Sequence, residues 1–207
     1  MDTDFDPIAY LRGRTQPRFV LGITGPPGAG KSTFASWLAS ELGPTGIVLP
    51  MDGFHFRNAE LDARGLRDRK GAPDTYDVPG FLQILRAIRS GGPVTASAYS
   101  RITHEPEADA ITILPSHGVI IVEGNYLLVK EPPWADVKAE LDEVWYLDVS
   151  TETAAKRVRA RHMSVGRSLA EAEMKVKAVD LPNGEIVRMT RDRADRWLGL
   201  AMDFPNL

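Results

Sequence analysis

The most constraining feature of this chain is a glycine-rich loop, GPPGAGKS, at positions 25–32. It follows an apolar, β-branched run from Phe19 to Thr24 and precedes hydrophobic residues at helical spacing from Lys31 to Leu42. A G-x-x-x-x-G-K-[ST] pattern between a strand and a helix is typical of a P-loop. Its glycines let successive N–H groups turn onto an anion, and the helix N-terminus adds the positive end of its dipole. The sequence therefore predicts a loop that grips a triphosphate.

The same loop supplies the predicted ligands of ATP and Mg²⁺. Lys31 provides a point charge for the β- and γ-phosphates, and the Ser32 hydroxyl is placed to bind Mg²⁺. The residues predicted to bind the nucleotide here are Gly25, Gly28, Ala29, Gly30, Lys31, Ser32 and Thr33.

A second Mg²⁺ ligand is predicted at Glu123, which ends the apolar run from Val119 to Val122. This is a Walker B pattern with Glu in place of the commoner Asp. The carboxyl ends of parallel strands meet at the edge of the sheet that carries the P-loop, so Glu123 should lie near Ser32. The alternative interpretation is a solvent-facing glutamate at the end of a strand.

Apolar runs alternate with helical stripes along the chain. Strands are predicted at 46–51, 94–99, 110–114, 119–122 and 144–149, and helices at 79–90, 151–162 and 168–180. Ser168 and Glu171 form a capping-box pattern, residues 181–184 predict a turn, and residues 55–77 predict a polar loop. This alternation predicts an α/β P-loop NTPase fold, a three-layer sandwich whose mostly parallel central sheet is covered on both faces. We expect one domain over residues 1–207, with an N-terminal extension at 1–16.

Composition restricts the partners. The 207 residues carry a net charge of −3, so nothing global attracts nucleic acid or an anionic membrane. No apolar run approaches the roughly 20 residues that span a bilayer, and the acidic first residues do not form a signal peptide. Cysteine is absent, which excludes disulfides and thiolate chemistry. We expect a cytoplasmic protein without a nucleic-acid partner or membrane insertion; the oligomeric state stays open, a homodimer included.

The second predicted strand ends in MDGFH, which places Asp52 at the carboxyl end of a parallel strand, facing the ligand crevice. A carboxylate there can accept the proton of an attacking hydroxyl, or orient it. The alternative is an aspartate that serves a turn, since Asp-Gly is a common turn pair. The Asn-Lys-x-Asp pattern of GTPases is absent from the sequence, which excludes that class.

Several separated segments resemble the phosphoribulokinase/uridine kinase superfamily. They are MDGFH (51–55), RKGAPDTYD (69–77), AYSR (98–101) followed by HEP (104–106), and IIVEGNYLL (120–128). Within the superfamily they are most similar to bacterial pantothenate-kinase-like proteins, including those called fructose transport system kinases. The resemblance runs from about Arg18 to about Arg188, which is nearly the whole chain.

The resemblance implies a role for each matching residue. Asp52 matches the catalytic base, and Glu123 matches the Walker B acid. Arg157 and Arg161 match arginines of a helical lid, at about 151–180, that closes over the phosphates. Asn183, with Asp180, matches a segment near the nucleotide base. The residues that match the acceptor pocket are His55, Arg69, Lys70, Asp74, Tyr76, Tyr99, Arg101, His104 and Asn125.

These features predict a phosphotransferase that moves the γ-phosphate of ATP onto a hydroxyl of a small metabolite. A sugar or polyol is the expected acceptor, and the cations Arg69, Lys70 and Arg101 also permit a carboxylate or phosphate on it. One alternative is a pantothenate or nucleoside kinase. The segment AYSRITHEP departs from the tyrosine-serine-histidine pattern of true pantothenate kinases, and no uridine-kinase pattern of base-holding aromatics is found. Another alternative is a non-catalytic ATP-binding regulator of a transport system.

Overall fold

A computed structural model describes residues 5–199, so residues 1–4 and 200–207 of the predicted domain lie outside it. The strands are β1 (Phe19–Thr24), β2 (Gly46–Pro50), β3 (Val94–Ser100), β4 (Glu105–Ile113), β5 (Val119–Glu123), β6 (Glu143–Asp148) and β7 (Arg196–Gly199). The helices are α1 (Pro7–Arg12), α2 (Lys31–Leu42), α3 (Asn58–Ala63), α4 (Val78–Arg89), α5 (Thr151–Ser164), α6 (Leu169–Lys175) and α7 (Leu181–Arg188).

Five of these strands form one sheet in the order β2-β5-β1-β6-β7, and each neighbouring pair is parallel. Every residue of β1 is buried, as expected for a strand covered on both faces. Because β1 is central and β5 lies beside it, their carboxyl ends, Thr24 and Glu123, reach the same edge of the sheet.

The sheet has a hydrophobic core on each face, since side chains alternate along a strand. Val20 of β1 belongs to one core, which includes Leu85 of α4. Leu21 belongs to the other, which includes Leu38 of α2 and Leu11 of α1. This arrangement confirms the predicted α/β fold with a parallel sheet between two helical layers.

The predicted N-terminal extension contains a packed helix. Asp6 caps α1, because its carboxylate accepts the N–H groups of Ile8 and Ala9 at 2.9 and 3.0 Å. Leu11 is fully buried in the core, and the Tyr10 hydroxyl donates to Glu143 at the start of β6. The described part of this segment is therefore fastened to the sheet.

Three local predictions from the sequence were wrong. The segment 55–77 contains the short helix α3, where a loop was predicted, and β4 begins at Glu105, where a strand from position 110 was predicted. Residues 181–184 begin helix α7, where a turn was predicted. Pro182 is compatible with a helix there because a residue of the first turn needs no N–H partner within the helix.

Strands β3 and β4 form a separate antiparallel hairpin. The hairpin lies against the turn Met51–Phe54 that follows β2, and a Cβ added to Gly53 would lie 2.1 Å from the carbonyl oxygen of Ser97. Only glycine therefore allows this close approach. As a result, the hairpin tip at 101–104 stands beside the carboxyl edge of the sheet.

Within residues 5–199, no helix combines the length and the apolar character that a bilayer crossing requires.

The core contact of α4 can be tested by one substitution. Leu85→Ala removes a side chain that is 0% exposed, so the free energy of unfolding should fall by about 2–5 kcal/mol. The control is Leu169→Ala in α6, where the side chain is 51% exposed and the change should stay within about 0.5 kcal/mol. Urea unfolding followed by circular dichroism measures both. Equal losses in the two variants would contradict this assignment of the core.

Candidate active site

The glycine-rich loop leaves β1 and enters α2 in a conformation that requires glycine. Gly28 and Gly30 have φ values of +84° and +91°, which residues with a side chain rarely adopt. A Cβ on Gly28 would lie 2.4 Å from the carbonyl oxygen of Ala154, so the loop lies directly against α5. The loop therefore has the glycine-dependent conformation expected of a phosphate cradle, and α5 lies at its side.

Lys31 is buried at the first position of α2. Its ammonium group donates to the carbonyl oxygens of Gly25 and Pro26, at 2.9 and 3.1 Å. Burial lowers the pKa of Lys31 to about 8, while the carboxylates of Glu123 and Asp52 act in the opposite direction. The lysine thus stays mostly protonated at neutral pH, and any further anion beside it would stabilise that charge.

The Ser32 hydroxyl and the Glu123 carboxylate meet beside the loop. Ser32 Oγ donates to Glu123 Oε1 at 2.9 Å, as the parallel pairing of β1 with β5 predicts. Burial raises the pKa of Glu123, and so does the charge of Asp52, whereas Lys31 and the Ser32 hydrogen bond lower it. Two oxygen ligands at one point suit Mg²⁺.

The wider donor set also fits Mg²⁺. Residues 5–199 contain no cluster of three or more His, Cys, Asp or Glu side chains that could cage a metal ion by itself. Mg²⁺ is usually held by one or two protein ligands and completes its shell with phosphate oxygens and water. Ser32 and Glu123 fit this mode of binding.

Asp52 lies in the turn after β2 and remains accessible, with 52% of its side chain exposed. Its Oδ1 accepts a hydrogen bond from the Tyr76 hydroxyl at 3.2 Å. Its carbonyl oxygen accepts a hydrogen bond from His55 Nδ1 at 2.8 Å, so Nδ1 carries the proton. Two side chains therefore fix the turn that presents this carboxylate.

The two neighbours of Asp52 are both uncharged at neutral pH. Burial lowers the pKa of His55 below its ordinary value of 6.5, so the ring is neutral at neutral pH. Burial, with the charge of Asp52, raises the pKa of Tyr76 well above 10, so the phenol keeps its proton. Asp52 is thus the accessible carboxylate of this group, and both neighbours orient it.

One cavity of about 210 Å³ joins the P-loop to these side chains. Its lining brings together many of the residues predicted from the sequence: Gly28, Lys31, Ser32, Asp52, His55, Lys70, Tyr76, Arg101, Glu123, Asn125, Arg161 and Asn183. We call it the acceptor cavity. Two further titratable side chains line the cavity, His162 and Lys175, and the sequence analysis did not name either of them.

The loop at Lys70–Thr75 forms one wall of the acceptor cavity and is fixed by hydrogen bonds from three side chains. The Tyr126 hydroxyl and Asn183 Nδ2 both donate to the carbonyl oxygen of Gly71, at 2.6 and 3.2 Å. Trp134 Nε1 donates to the carbonyl oxygen of Pro73 at 3.0 Å. Sequence reasoning missed Tyr126 and Trp134 in this role, because a buried aromatic residue gives no signal of the carbonyl that it holds.

Four residues predicted at the acceptor site do not line the acceptor cavity. Arg69 and Asp74 pair with each other at the surface, at 3.2 Å. The Tyr99 ring packs against the His55 ring, 5.0 Å between centroids. His104 has an exposed side chain, while its carbonyl oxygen accepts a hydrogen bond from Lys70 Nζ at 2.6 Å. Tyr99 and His104 therefore contact His55 and Lys70, which line the cavity, without lining it themselves.

Helix α5 places arginines over the P-loop. Arg157 and Arg161, one helical turn apart, line a cleft of about 310 Å³ together with Gly30, Thr33 and Arg101. Asp180, which precedes α7, lies 3.8 Å from Arg161 and 2.8 Å from His162 Nε2. The far end of α5 is thus linked to the segment between α6 and α7.

A third, narrower cavity of about 200 Å³ lies between the P-loop, α5 and α7. Its walls are largely apolar, and they include Pro27, Ala154, Val158 and Leu181. Gly184 also borders it, whereas the neighbouring Asn183 contacts the acceptor-cavity side by its bond to Gly71. The largely apolar lining of this cavity suits a heterocycle.

The low pKa of Lys31 predicts a pH effect on nucleotide binding. Phosphates beside Lys31 would raise its pKa, so binding at pH 8 should take up about half a proton at this site, and less at pH 7. Isothermal titration calorimetry of Mg-ATP in two buffers of different ionisation enthalpy measures that uptake.

Lys31→Arg is the control, because a guanidinium stays charged throughout this pH range. The uptake should then disappear while binding heat persists. An uptake that is absent in the wild-type protein, or equal in both proteins, would contradict the shifted pKa.

The comparisons with known proteins agree with this geometry. The model of the Phosphoribulokinase / Uridine kinase family matches residues 20–195. The Escherichia coli (strain K12) protein named "Uncharacterized protein YggC" is 36% identical over 186 residues, which covers 87% of this chain and 77% of that protein. The pantothenate kinase of Clavibacter sepedonicus is 31% identical over 222 residues, covering 91% of this chain and 69% of that enzyme.

Among solved structures, the "putative fructose transport system kinase" from Silicibacter sp. TM1040 superposes with a TM-score of 0.86 at 33% sequence identity. The match covers 94% of this chain and 99% of that one. The family model spans most of the described residues, and the P-loop, Glu123 and the acceptor cavity all lie within it. The chain therefore belongs to the phosphoribulokinase/uridine kinase family and is a kinase with a P-loop.

Proposed function

We propose that this protein transfers the γ-phosphate of ATP to a hydroxyl group of a small sugar-like or polyol metabolite. The observation that carries the proposal is that Lys31, Asp52 and Glu123 line one cavity, which is continuous with the P-loop. Phosphoryl transfer requires a phosphate anchor, a metal ligand and a group that aligns the nucleophile, and these three residues supply them.

The P-loop binds the triphosphate, with Lys31 as its buried cation. Ser32 and Glu123 would hold Mg²⁺, which when bound would neutralise charge on the phosphate oxygens. The apolar cleft between the P-loop, α5 and α7 takes the adenine ring. Arg157 and Arg161 cover the phosphates, neutralise the charge of the transferred group and exclude water.

Asp52 aligns the acceptor hydroxyl and accepts its proton. The Tyr76 hydroxyl and the His55 ring keep the Asp52 turn in place, as their hydrogen bonds indicate. The Asp52 carboxylate is the accessible one of this group, with 52% of its side chain exposed, so an acceptor hydroxyl can reach it.

The size of the acceptor cavity favours a small acceptor. Its 210 Å³ lie below the roughly 300–1,000 Å³ of pockets for drug-sized ligands, and part of that space adjoins the P-loop. A compact polyhydroxy compound suits this space better than a nucleoside does. Pantothenate stays the second candidate, because a relative that is 31% identical is a pantothenate kinase.

Asp52→Asn tests the catalytic assignment. The amide oxygen can still accept the Tyr76 hydroxyl, so the turn should keep its shape, but the side chain can no longer take a proton. We expect kcat to fall by about 10²–10⁴ while the affinity for Mg-ATP is unchanged. Steady-state ADP release and calorimetry provide the two measurements.

The matched control is Asp192→Asn, at a side chain that is 83% exposed and lies outside the acceptor cavity. Its kcat should equal that of the wild-type protein. An Asp52→Asn variant with undiminished kcat would remove Asp52 from the chemistry.

A panel of acceptors separates the proposed function from its alternatives. ADP release should be stimulated most by a sugar or polyol derivative, and less by nucleosides or pantothenate. Preferred turnover of pantothenate or a nucleoside would assign the alternative kinase activity. If the protein binds Mg-ATP and no compound stimulates ADP release above the water background, the non-catalytic regulator replaces the proposed kinase.

A further inference from the structure

We propose that the acceptor carries an anionic group, a carboxylate or a phosphate, in addition to the hydroxyl that is phosphorylated. This inference rests on the proposed kinase function and specifies its substrate class. The ligand would bind with its hydroxyl toward Asp52 and its anionic group toward Lys70, Lys175 and Arg101.

The charge of the acceptor cavity is opposite in sign to that of the protein. The chain carries a net charge of −3, yet five cationic side chains line the cavity against three carboxylates. The cations are Lys31, Lys70, Arg101, Arg161 and Lys175, and the carboxylates are Asp52, Glu123 and Asp180. A local excess of cations inside an acidic protein attracts an anionic ligand into the cavity.

Two of the five cations already have anionic partners or a nucleotide role. Lys31 belongs to the P-loop and lies close enough to Glu123 and Asp52 for their charges to raise its pKa. Arg161 pairs with Asp180 at 3.8 Å. Their charges are therefore accounted for without an acceptor.

The other three cations form no close ion pair, although the charge of Glu105 acts on Lys70 and that of Arg101 acts on Glu123. Lys70 Nζ donates to Asn58 Oδ1 at 2.7 Å and to the carbonyl oxygen of His104 at 2.6 Å, which leaves one of its three donors for a ligand. Lys175 Nζ contacts the carbonyl oxygen of Asp68 at 3.5 Å. Across residues 5–199, no carboxylate lies within 4.0 Å of the charged nitrogens of Lys70, Lys175 or Arg101.

These three cations come from three separate parts of the fold. Lys70 begins the loop held by Tyr126 and Trp134, Arg101 lies at the tip of the β3–β4 hairpin, and Lys175 ends α6. Their convergence on one cavity is a property of the tertiary structure, since no local sequence pattern requires it. Arg101 also lines the cleft over the P-loop, so it stands between the acceptor and the phosphates.

Burial makes the charge of Lys70 sensitive to a ligand. Desolvation lowers the pKa of Lys70, and Glu105 acts in the opposite direction. Glu105 forms no ion pair with Lys70 within 4.0 Å, so a carboxylate or phosphate in the cavity would supply a direct anionic partner. A neutral sugar would leave it with neutral oxygens only.

The test compares acceptors of matched chain length that differ in one group. Alditols, the corresponding aldonates and the alditol monophosphates are assayed for ADP release. We expect an aldonate or a monophosphate to have a kcat/KM at least tenfold above that of the neutral alditol, since hydrogen bonds between charged groups are stronger than those between neutral groups. The aldonate and monophosphate arms distinguish the two sources of negative charge.

Lys70→Met and Lys175→Met connect this preference to the named cations. Each should reduce the preference for the anionic acceptor over the neutral alditol, measured as the ratio of their kcat/KM values, by about 10–100-fold. The control is Lys177→Met, two residues from Lys175, at an exposed position that does not line the acceptor cavity. A purely structural role of either lysine would lower the rates with both acceptors equally, and this outcome would overturn the inference.

The two proposals fail in different ways. Preferred turnover of the neutral alditol overturns the anionic acceptor and keeps the kinase function. An absence of turnover with every acceptor, while Mg-ATP binds, overturns the kinase function and the inference with it.

Discussion

The contact between Ser32 and Glu123 is the point on which the rest of the site depends. It forms because β1 and β5 are parallel neighbours, so that the residue after the P-loop lysine and the last residue of β5 reach one edge of the sheet. The sheet is stabilised by cores on both faces, which fixes this edge with the rigidity of close-packed side chains. Groups on rigid strands and helix starts can therefore hold a metal ion and a phosphate without further ordering.

Burial determines the electrostatics of this edge. Lys31 and Glu123 both lie in a region where the charged form is unfavourable, and each shifts the pKa of the other toward the charged state. Removing one partner would leave an uncompensated buried charge, which is far more costly than losing an exposed ion pair. The two residues thus constitute one electrostatic unit. A triphosphate with its metal would add both negative and positive charge beside this unit, without reversing the charge of Lys31 or of Glu123.

The sequence predicts this unit well, because its determinants are local. Glycines in the P-loop, β-branched runs and the acid at the end of β5 each have a short-range signature. Helix α7 was missed because Leu181-Pro182-Asn183-Gly184 has the composition of a turn, while proline is equally compatible with the first turn of a helix. Tertiary packing decides between the two, and sequence alone does not give it.

The acceptor side depends on contacts between distant segments, and this explains what the sequence could not supply. Tyr126 and Asn183 approach the same carbonyl oxygen of Gly71 from positions 55 and 112 residues away in the chain. Lys175 reaches the cavity from α6, in a segment whose charge pattern resembles any solvated helix. Motif resemblance located the loop that carries Lys70, but the side chains that hold this loop follow from the fold.

The two sides of the site differ in how firmly they are fixed. At the carboxyl edge of the sheet and the loop at 70–75, short hydrogen bonds join largely buried groups, such as Ser32 to Glu123 and Tyr126 to Gly71. On the side of helix α5, the contact is the ion pair between Asp180 and Arg161, at 3.8 Å, and the Arg161 side chain is half exposed. The arginine is half exposed and the separation is long, so this ion pair contributes little stability, and under the proposed function Arg161 would exchange Asp180 for phosphate oxygens at small cost. His162 lies 2.8 Å from Asp180, so the carboxylate would keep a hydrogen-bond partner if Arg161 turned to a bound nucleotide.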